Sequence, residues 1–511
     1  MIRRVDPSAA RQALAHRLRV VGAALLGPGL PHRDDDPIHD AAAVLRGLID
    51  HVRSETTPAK LWLLRLAVAG RMATASEVRA LRRRLEISTS LETSLWLLEE
   101  SLADSSSVSA TRAIELVQHG VVVDVDHTAR HDLHTGIQQV IRRTMPLWAA
   151  KHDVTFAAWT DDGSGLRALS AAERARVVDW HKPEYEPPRV AHRRAGDTDG
   201  LIVPWDSVVV LPDVAMPTAL APLAALAEFS GNRVVAVGYD CIPVVSADLV
   251  PVGGASRFAS YLGVVKHLRR VAAISSSAAT EFQGFVDALP AQGLTGPEIV
   301  ECQLPAGSGT TAGARAGATG PTVLVVGSFE PRKNHLAILF AAETLWREGL
   351  RFDLVLIGGM GWGDAVPRLV SRLRRVGRPV IMRHRVDDAS LREAYASARF
   401  TVFPSLHEGY GLPVVESLAA GVPAITSNFG SLAEIASGGG IVTIDPRDDV
   451  ALTDAMRQLL IDDALLARLR AQIAGRPSRT WSDYADDLWR GLVAPERQVL
   501  ASDARHPEPV P

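Results

Sequence analysis

Apolar residues in roughly the first hundred positions recur every three or four residues, as they do on the buried face of a helix. The residues that carry this pattern are Leu14, Leu18, Val21 and Leu25 in one segment and Leu61, Leu64 and Val68 in the next. A third helix is predicted from Ser76, because Glu77 then falls in the first turn, where a negative charge is favoured. Residues 1–117 are therefore predicted to form an all-helical N-terminal appendage.

Arginines are frequent in this appendage. They include Arg17, Arg19, Arg79, Arg82, Arg83 and Arg84. A solvated helix face is the favoured interpretation of such a run, over contact with phosphates or lipid headgroups. Amphipathic helices with these arginines would also suit peripheral contact with a membrane, and that alternative stays open.

The longest apolar run of the appendage, residues 20–26, stops at Gly27-Pro28 and is shorter than the ~20 residues that cross a bilayer. A signal peptide is disfavoured because Asp6 and several arginines interrupt the pattern. We expect a buried helix here. The chain is expected to be cytoplasmic, with a peripheral position at the inner membrane face as the alternative.

From Gly120 onward, short β-branched runs alternate with helical stretches. Strands are predicted at 121–125, 154–159, 208–211, 234–237 and 271–275, and helices at 137–150 and 278–289. The charged, proline-bearing stretch 180–200 is predicted to be a surface excursion. Such alternation indicates a doubly wound α/β domain, here residues 118–304.

A Gly/Ala/Thr-rich stretch at 305–320 reads as a linker, and the alternation restarts after it. Strands are predicted at 322–326, 353–357, 379–382, 401–403, 424–426 and 441–444, and helices at 335–348, 366–376, 390–398, 414–420 and 432–436. A second α/β domain at 321–475 would face the first across a cleft, where ligands bind at the carboxyl ends of the strands. Residues 476–500 are predicted as a helix that packs back on the first domain, and 501–511 as a disordered tail.

Composition narrows the class of protein. The chain has 511 residues, enough for about three domains, with 47% hydrophobic and 22% charged residues. These values exclude a mainly disordered or fibrous chain. The net charge of −3 gives no sign of a nucleic-acid partner, and two cysteines cannot build a disulfide framework, which favours a reducing compartment.

The first chemical constellation follows the predicted strand 322–326. Gly327, Ser328 and the sequence Glu330-Pro331-Arg332-Lys333-Asn334 lead into a helix, with Asn334 as a predicted N-cap. A helix N-terminus attracts anions, and Arg332 and Lys333 add two positive charges. A diphosphate leaving group needs such an environment. An ordinary charged loop is the alternative.

The second constellation is the loop 404–416, between a predicted strand and a helix. Gly409 and Gly411 let the backbone approach a ligand and present free N–H groups, and Tyr410 and Leu412 complete the turn. Glu408 and Glu416 enclose this turn, and we expect them to face the carboxyl ends of the strands. One carboxylate can meet a transferred sugar and the other a ribose diol.

These motifs together resemble those of the retaining GT-B glycosyltransferases, specifically the family 4 (glycosyltransferase group 1) type. The matching motifs are the Glu-x7-Glu pair Glu408/Glu416, the loop 330–334, the segment 427–434 and the segment from Arg385 and Val386 to Tyr395. The resemblance covers about residues 120–495. In its details the chain is most similar to bacterial polysaccharide mannosyl and rhamnosyl transferases. The resemblance implies an α/β GT-B fold, with two Rossmann-like domains facing a cleft.

In the first half, the glycine loop at Gly136 and the stretch around Asp240 resemble parts of the same family. Related sequences usually have Arg and His where this chain has Gln139 and Tyr239. The resemblance implies catalytic roles for Glu408, Arg332 and Lys333. It implies donor binding by Gly136, Asp240, Gly327, Ser328, Arg385, Val386, Gly409, Tyr410, Gly411, Leu412 and Glu416.

Three other groups of residues have two interpretations each. Asp124 and Asp126 mimic an Asp-x-Asp metal site but end the first strand of a doubly wound domain, so no metal site is predicted. His127, His131 and His134 either contact an acceptor or belong to a mobile loop, and the loop is favoured. The aromatic residues of the last helix, Trp481, Tyr484 and Trp489, are expected to pack rather than to bind sugar.

The resulting hypothesis is a retaining, metal-independent glycosyltransferase without a cofactor. Its co-substrates would be a nucleotide-diphosphate sugar, with GDP-mannose favoured, and a saccharide or lipid-linked saccharide acceptor. UDP- or dTDP-sugars are the alternative donors. A non-catalytic GT-B-like scaffold that binds a nucleotide sugar is the alternative function, and a phosphorylase lacks an identifiable cofactor lysine.

Overall fold

The computed structural model describes residues 6–30, 37–104, 109–133, 135–180, 200–305, 320–384 and 386–503. Predictions for the surface excursion within 181–199, the linker within 306–319, His134, Arg385 and the last residues of the tail lie outside this part of the chain.

The N-terminal segment is helical, as its periodicity predicts. Its helices are α1 (Pro7–Leu26), α2 (Pro37–Ser54), α3 (Pro58–Ala69), α4 (Ala75–Ile87) and α5 (Ser90–Asp104). Helix α4 begins with a capping box, in which Glu77 accepts a hydrogen bond from the backbone N–H of Thr74 at 2.8 Å. Helix α3 is buried from Leu61 to Ala69 on every face, so it forms the centre of the segment.

This helical segment shares a core with the first α/β domain. Leu18 and Leu64 lie in one buried cluster with Val209 and Leu226 of that domain. The predicted boundary at residue 117 cuts a strand, because the first strand of the sheet already begins at Ile114. The helices are therefore an integral layer on the first domain.

The arginines of the helical segment divide into buried and exposed ones. Arg17 is 2% exposed and donates hydrogen bonds to the backbone carbonyls of Ala67 and Arg112 at 2.8 and 2.7 Å. Arg19 forms an ion pair with Asp40. The suggestion of membrane contact is therefore wrong for the buried Arg17. The side chain of Arg19 is 26% exposed, and Arg82 and Arg83 are exposed. No helix in the described part of the chain is long and apolar enough to span a bilayer.

The first α/β domain is built on a nine-stranded sheet. Its strands are β1 (Ile114–Gln118), β2 (Val121–Asp124), β3 (Thr155–Trp159), β4 (Leu166–Ala168), β5 (Leu201–Trp205), β6 (Val208–Leu211), β7 (Arg233–Gly238), β8 (Arg270–Ala273) and β9 (Glu298–Glu301). The order is β1-β5-β4-β3-β2-β6-β7-β8-β9, and β4 alone among these strands runs antiparallel to its neighbours. Its helices are α6 (Asp126–Arg130), α7 (Gly136–Lys151), α8 (Ala171–Arg174), α9 (Leu220–Phe229), α10 (Ile242–Val245), α11 (Gly254–Val265) and α12 (Ser276–Ala288).

The second α/β domain has a six-stranded, fully parallel sheet in the order β12-β11-β10-β13-β14-β15. Its strands are β10 (Thr322–Val326), β11 (Asp353–Ile357), β12 (Val380–Arg383), β13 (Phe400–Phe403), β14 (Ala424–Ser427) and β15 (Ile441–Ile444). Its helices are α13 (His335–Arg347), α14 (Ala365–Arg375), α15 (Asp388–Ser397), α16 (Leu412–Ala419), α17 (Gly430–Ala436), α18 (Asp449–Ile461) and α19 (Asp463–Ala474). The predicted class of two doubly wound domains is confirmed.

The chain returns to the first domain at its end. Helix α20 (Trp481–Leu488) passes through a π-helical stretch, Trp489–Val493, into α21 (Ala494–Asp503), which runs into the stretch predicted as disordered. The indole N–H of Trp148 on α7 donates to the carbonyl oxygen of Ala485 at 2.9 Å. Glu496 on α21 pairs with Arg270 at 2.9 Å. These contacts fix the terminal helices to the first sheet.

Candidate active site between the two domains

The loop after β10 carries the predicted phosphate-binding residues. Ser328 donates a hydrogen bond to Glu330 at 2.6 Å, and a short 3-10 turn at Pro331–Lys333 precedes α13. Asn334 stands at the N-cap position of α13, as predicted, but its side chain makes no capping hydrogen bond to the helix. Its backbone is left-handed, with φ of 55°, and its side-chain amide donates to the carbonyl oxygen of Pro446 at 2.8 Å. Asparagine tolerates this conformation better than most residues, which explains the turn.

Three charged side chains predicted from separate motifs meet at this turn. Lys333 Nζ lies 2.6 Å from Glu408 Oε1, and Arg332 Nη1 lies 2.8 Å from Glu408 Oε2. The side chains of Glu408, Lys333 and Arg332 are 9%, 11% and 17% exposed. Arg332 also donates to the carbonyl oxygen of His407 at 3.0 Å and pairs with Glu330 at 3.1 Å. The structure thus brings the carboxylate predicted to bind the sugar into direct contact with the two cations predicted to bind phosphate.

The electrostatics of this triad follow from burial opposed by charge pairing. Burial pushes the pKa of Glu408 upward, but Lys333 and Arg332 outweigh it, and the net pKa lies below the ordinary glutamate value. Burial lowers the pKa of Lys333 below its usual range, although Glu408 opposes that effect. A deprotonated Glu408 therefore lies between two buried basic groups.

Glu416 lies apart from this triad, on the second turn of α16. Its Oε2 accepts a hydrogen bond of 2.9 Å from the hydroxyl of Tyr395 on α15. Burial raises the pKa of Glu416 above the ordinary value. Val386 packs against the small apolar cluster that contains Tyr395, so it lies on the Glu416 side of the site.

The Gly-x-Gly turn lies directly against the first domain. A Cβ on Gly409 would stand 2.4 Å from the carbonyl oxygen of Tyr239, so only glycine fits there. Gly411 has φ of 121°, a conformation that side chains disfavour. Tyr410 donates from its hydroxyl to the carbonyl oxygen of Leu304 at 2.7 Å. The turn is thereby fixed to backbone on the far side of the cleft.

The predicted residues of the first domain reach the same place. A Cβ on Gly136, at the start of α7, would lie 3.4 Å from Leu412 Cδ1, so the two predicted donor-binding segments face each other. Asp240 is buried, and burial raises its pKa to about 6, with Arg332 opposing the rise. The hydroxyl of Tyr239 donates to the carbonyl oxygen of Pro212 at 2.8 Å, so this hydroxyl has its hydrogen-bond partner inside the first domain.

Asp124 and Asp126, the pair that mimics an Asp-x-Asp metal site, form hydrogen bonds to residues of their own domain. The indole N–H of Trp159 donates to Asp124 at 2.7 Å, and burial raises the pKa of Asp124 to about 7. Asp126 accepts from Arg130 at 2.7 Å and from the backbone N–H of Trp159 at 2.9 Å. Within the described ranges, no group of three or more potential ligands is placed to hold a metal ion.

His127 lies in the short helix α6 and His131 directly follows it, so the predicted loop is helical at His127. His127 Nδ1 lies 3.3 Å from the side-chain amide of Gln138 and 3.9 Å from Asp213, and its ring centroid lies 4.7 Å from that of His131. These residues follow β2 and precede α7, at the same sheet edge as Gly136.

Sequence reasoning missed the first-domain groups that hold the second domain. Ser275 donates to the carbonyl oxygen of Gly409 at 2.7 Å. Glu434 on α17 accepts from the backbone N–H groups of Ser276 and Ser277 at 3.0 and 2.6 Å, and so caps α12 of the other domain. Ser275 ends a predicted strand and Glu434 lies in a predicted helix, but the contact from Ser275 to Gly409 and that from Ser276 to Glu434 each join residues more than 130 positions apart.

Comparison with known proteins was informative for the second domain and for the fold. Residues 314–476 match the model of the family "Glycosyl transferases group 1". The O-antigen chain mannosyltransferase B of Escherichia coli is 41% identical over 143 residues, which are 28% of this chain and 37% of that protein. The serotype-specific mannosyltransferase WbdA of Escherichia coli is 36% identical over 122 residues, 23% of this chain and 15% of the relative. The chain therefore spans well under half the length of these relatives.

A solved structure supports the architecture. The sucrose-phosphate synthase from Thermosynechococcus elongatus aligns with a TM-score of 0.51 and 16% identity, over 75% of this chain and 99% of that chain. At this identity the likeness concerns the fold alone. With two parallel-sheet domains facing one site and this family match, the chain has the GT-B fold and carries a glycosyl transferases group 1 domain at residues 314–476.

Proposed function

We propose that this protein is a retaining glycosyltransferase that moves mannose from GDP-mannose to a saccharide or lipid-linked saccharide. The observation that carries the proposal is the convergence of Lys333 and Arg332 on Glu408, at the end of β10 and at the face of the first domain. The two relatives named as mannosyltransferases support the choice of sugar.

The two cations serve the leaving group. As the bond from the anomeric carbon to the phosphate breaks, negative charge accumulates on the departing nucleotide diphosphate. Lys333 and Arg332 stabilise that charge from fixed positions in a site with little water, where each charge acts more strongly than in solution. They take the part that a divalent cation has in other transferases, so the reaction proceeds without a metal.

The carboxylates orient the donor. Glu408 accepts hydrogen bonds from the sugar hydroxyls, and the backbone N–H groups of the Gly409–Gly411 turn donate hydrogen bonds to them. Glu416, whose carboxylate is already aligned by Tyr395 at 2.9 Å, holds the ribose diol. Because the donor diphosphate competes with Glu408 for the two cations, donor binding releases this carboxylate toward the sugar.

The anomeric configuration is retained because the acceptor attacks the anomeric carbon on the same face from which the leaving group departs. The acceptor oxygen forms its bond to the anomeric carbon as the carbon–phosphate oxygen bond breaks, and the acceptor's proton passes to the leaving phosphate oxygen. This route needs no enzyme nucleophile, and Glu408 keeps its role of orienting the sugar hydroxyls.

A panel of nucleotide diphosphates tests the donor. GDP is expected to raise the unfolding temperature more than UDP or dTDP, because a ligand that binds the folded state stabilises it by mass action. NMR of the product made from GDP-mannose should show an α-linkage. A shift with UDP alone would replace GDP-mannose by a UDP-sugar, and tight nucleotide binding without transfer from any donor would favour the non-catalytic scaffold.

A further inference from the structure

His407 connects the two domains directly beside the catalytic carboxylate. It lies on the second domain's loop, immediately before Glu408. Its Nε2 lies 2.6 Å from Glu281 Oε1 on α12, and its Nδ1 lies 2.8 Å from the hydroxyl oxygen of Ser246. Both partners belong to the first domain, and the side chains of His407 and Glu281 are only 15% and 12% exposed.

Each end of this connection is fixed by a second contact. Glu281 uses its other oxygen to accept the backbone N–H of Cys241 at 2.6 Å, in the segment next to Asp240. The carbonyl oxygen of His407 accepts from Arg332 Nη1 at 3.0 Å. A displacement of α12 relative to the second domain therefore acts on both Glu408 and Arg332.

We propose that His407 is a positioning residue whose ion pair with Glu281 holds the two domains in the arrangement seen in this structure and keeps the Glu408 loop in place. This arrangement is called closed below. The structural part of this inference stands on the contacts alone. Its consequence for catalysis rests on the proposed transferase function.

Charged groups around His407 make the connection sensitive to pH. Glu281 on α12, Asp240 after β7 and Glu408 on the same loop are acidic, and Arg332 is the nearby cation. The hydrogen bond to Glu281 raises the pKa of His407 above the ordinary histidine value, despite burial. A histidine with a raised pKa stabilises the closed form fully below the ordinary pKa of about 6.5 and loses that contribution as the pH rises through the raised value.

The neutral imidazole retains part of the connection. If Ser246 donates to Nδ1, Nε2–H still donates to Glu281, so the ion pair becomes a hydrogen bond between a neutral donor and a carboxylate. Opening at high pH is therefore expected to be partial.

The test uses the full-length protein with H407Q, E281Q and the double variant. H267Q is the matched control, because His267 lies 3.6 Å from Glu228 in a His–Glu pair within the first domain. Small-angle scattering at pH 6 and pH 8.5 reports domain closure, and calorimetry with GDP reports affinity. Circular dichroism melts verify that each variant is folded.

We expect wild type and H267Q to be more compact at pH 6 than at pH 8.5. H407Q and E281Q should be equally open at both, with GDP affinity reduced by about tenfold, the loss expected for one charge-assisted hydrogen bond. The double variant should be no worse than either single variant. A pH-dependent compaction that persists in H407Q and E281Q, or fully additive effects, would overturn the inference.

Measuring sugar transfer by wild type alongside these experiments separates this inference from the function. Scattering and GDP binding do not require transfer. If closure depends on His407 but no donor is turned over by wild type, the inference stands and the transferase proposal fails. If wild type transfers sugar and closure is indifferent to His407, the function stands and the inference fails.

Discussion

Replacing Lys333 with methionine tests the core of the proposed mechanism. The substitution removes one positive charge and retains an unbranched apolar side chain, which suits the contact between Lys333 and the ring of Phe403, where Nζ lies 4.7 Å from the ring centroid. Glu408 loses the contact of 2.6 Å to Lys333 but retains Arg332 at 2.8 Å, so the carboxylate is not left without a counterion. The fold is therefore expected to survive while the leaving group loses one of its two cations.

The magnitude can be worked from the charges. Two unit charges about 4 Å apart attract by roughly 4 kcal/mol at an effective dielectric constant of 20. Loss of one fixed electrostatic group in an active site typically costs about 3–4 kcal/mol, or 10²- to 10³-fold in kcat. We expect a decrease of that size in K333M. The cost in stability should be about 1–2 kcal/mol, below the 3–5 kcal/mol typical of a buried charge left entirely unpaired.

The assay is steady-state release of nucleotide diphosphate from GDP-mannose in the presence of acceptor, with thermal unfolding in parallel. K60M is the matched control, since Lys60 pairs with Glu55 at 2.5 Å far from the cleft and should leave kcat unchanged. Transfer by K333M within threefold of wild type would refute the role of Lys333 in charge stabilisation.

Three further predictions concern other parts of the site. E416Q is expected to raise the KM for the donor by about tenfold with little change in kcat, because it weakens ribose binding in ground and transition states alike; steady-state kinetics decide this, and a loss confined to kcat would contradict it. Excess EDTA should leave the initial rate unchanged, and inhibition that Mg²⁺ or Mn²⁺ reverses would disprove the metal-independent mechanism. In D124N, the pH dependence of stability should flatten. The buried Asp124 has a pKa of about 7, so folded wild type holds a proton that the unfolded chain releases near pH 4, and its unfolding free energy falls as the pH rises between these values. Urea unfolding at pH 5 and pH 8 should show a fall about 3 kcal/mol larger in wild type than in D124N, since about two pH units at 1.36 kcal/mol each separate pH 5 from the pKa, and equal falls would exclude Asp124 as the cause.

The second domain was predictable from sequence almost strand by strand. β10, β11 and β15 begin and end at the predicted residues. β10 and β11 lie inside the sheet, where parallel strands covered by helices on both faces are short, continuous apolar runs. The loops between them carry glycine and proline at the points where strand changes to helix. Local sequence is sufficient to predict a strand or helix where the apolar residues of that element follow the periodicity of its own secondary structure.

Fewer strands of the first domain could be predicted from the sequence, and the reasons are physical. β1, β4, β5 and β9 were not predicted. β9 lies at a sheet edge with a half-exposed sequence, Glu298–Glu301, and β4 is a three-residue antiparallel insertion, Leu166–Ala168. β1, Ile114–Gln118, pairs with β5 more than 80 residues later, so its strand character depends on a partner that no local window contains.

The same distinction holds for the site. The predicted roles of Glu408 and Glu416 came from one loop, and the structure keeps those residues beside one strand-to-helix junction. The contact between Lys333 and Glu408 joins residues 75 apart, and that between His407 and Glu281 joins residues 126 apart. The roles of residues within one loop could be predicted, whereas contacts between loops distant in sequence, within the second domain or across the cleft, could not. Asn334 shows the limit of local prediction: it occupies the predicted N-cap position, but its own left-handed backbone directs its side-chain amide to Pro446 and not to the helix.

The return of the chain to the first domain has a consequence for how the protein is made. Tyr484 and Leu488 of α20 lie in the buried cluster that contains Val123 and Trp148, whereas the main apolar cluster of the second domain draws only on residues between Val323 and Leu469. During synthesis, the second domain can complete this main cluster as soon as its own sequence has emerged, although Phe403 and Val414 also pack in the cluster shared with the first domain. The first domain must wait for the last helices, with Trp148 lacking its partner at Ala485 until then. The domain that begins the chain is thus the last to finish folding, and we expect truncation before Trp481 to damage it while sparing the domain next to the cut.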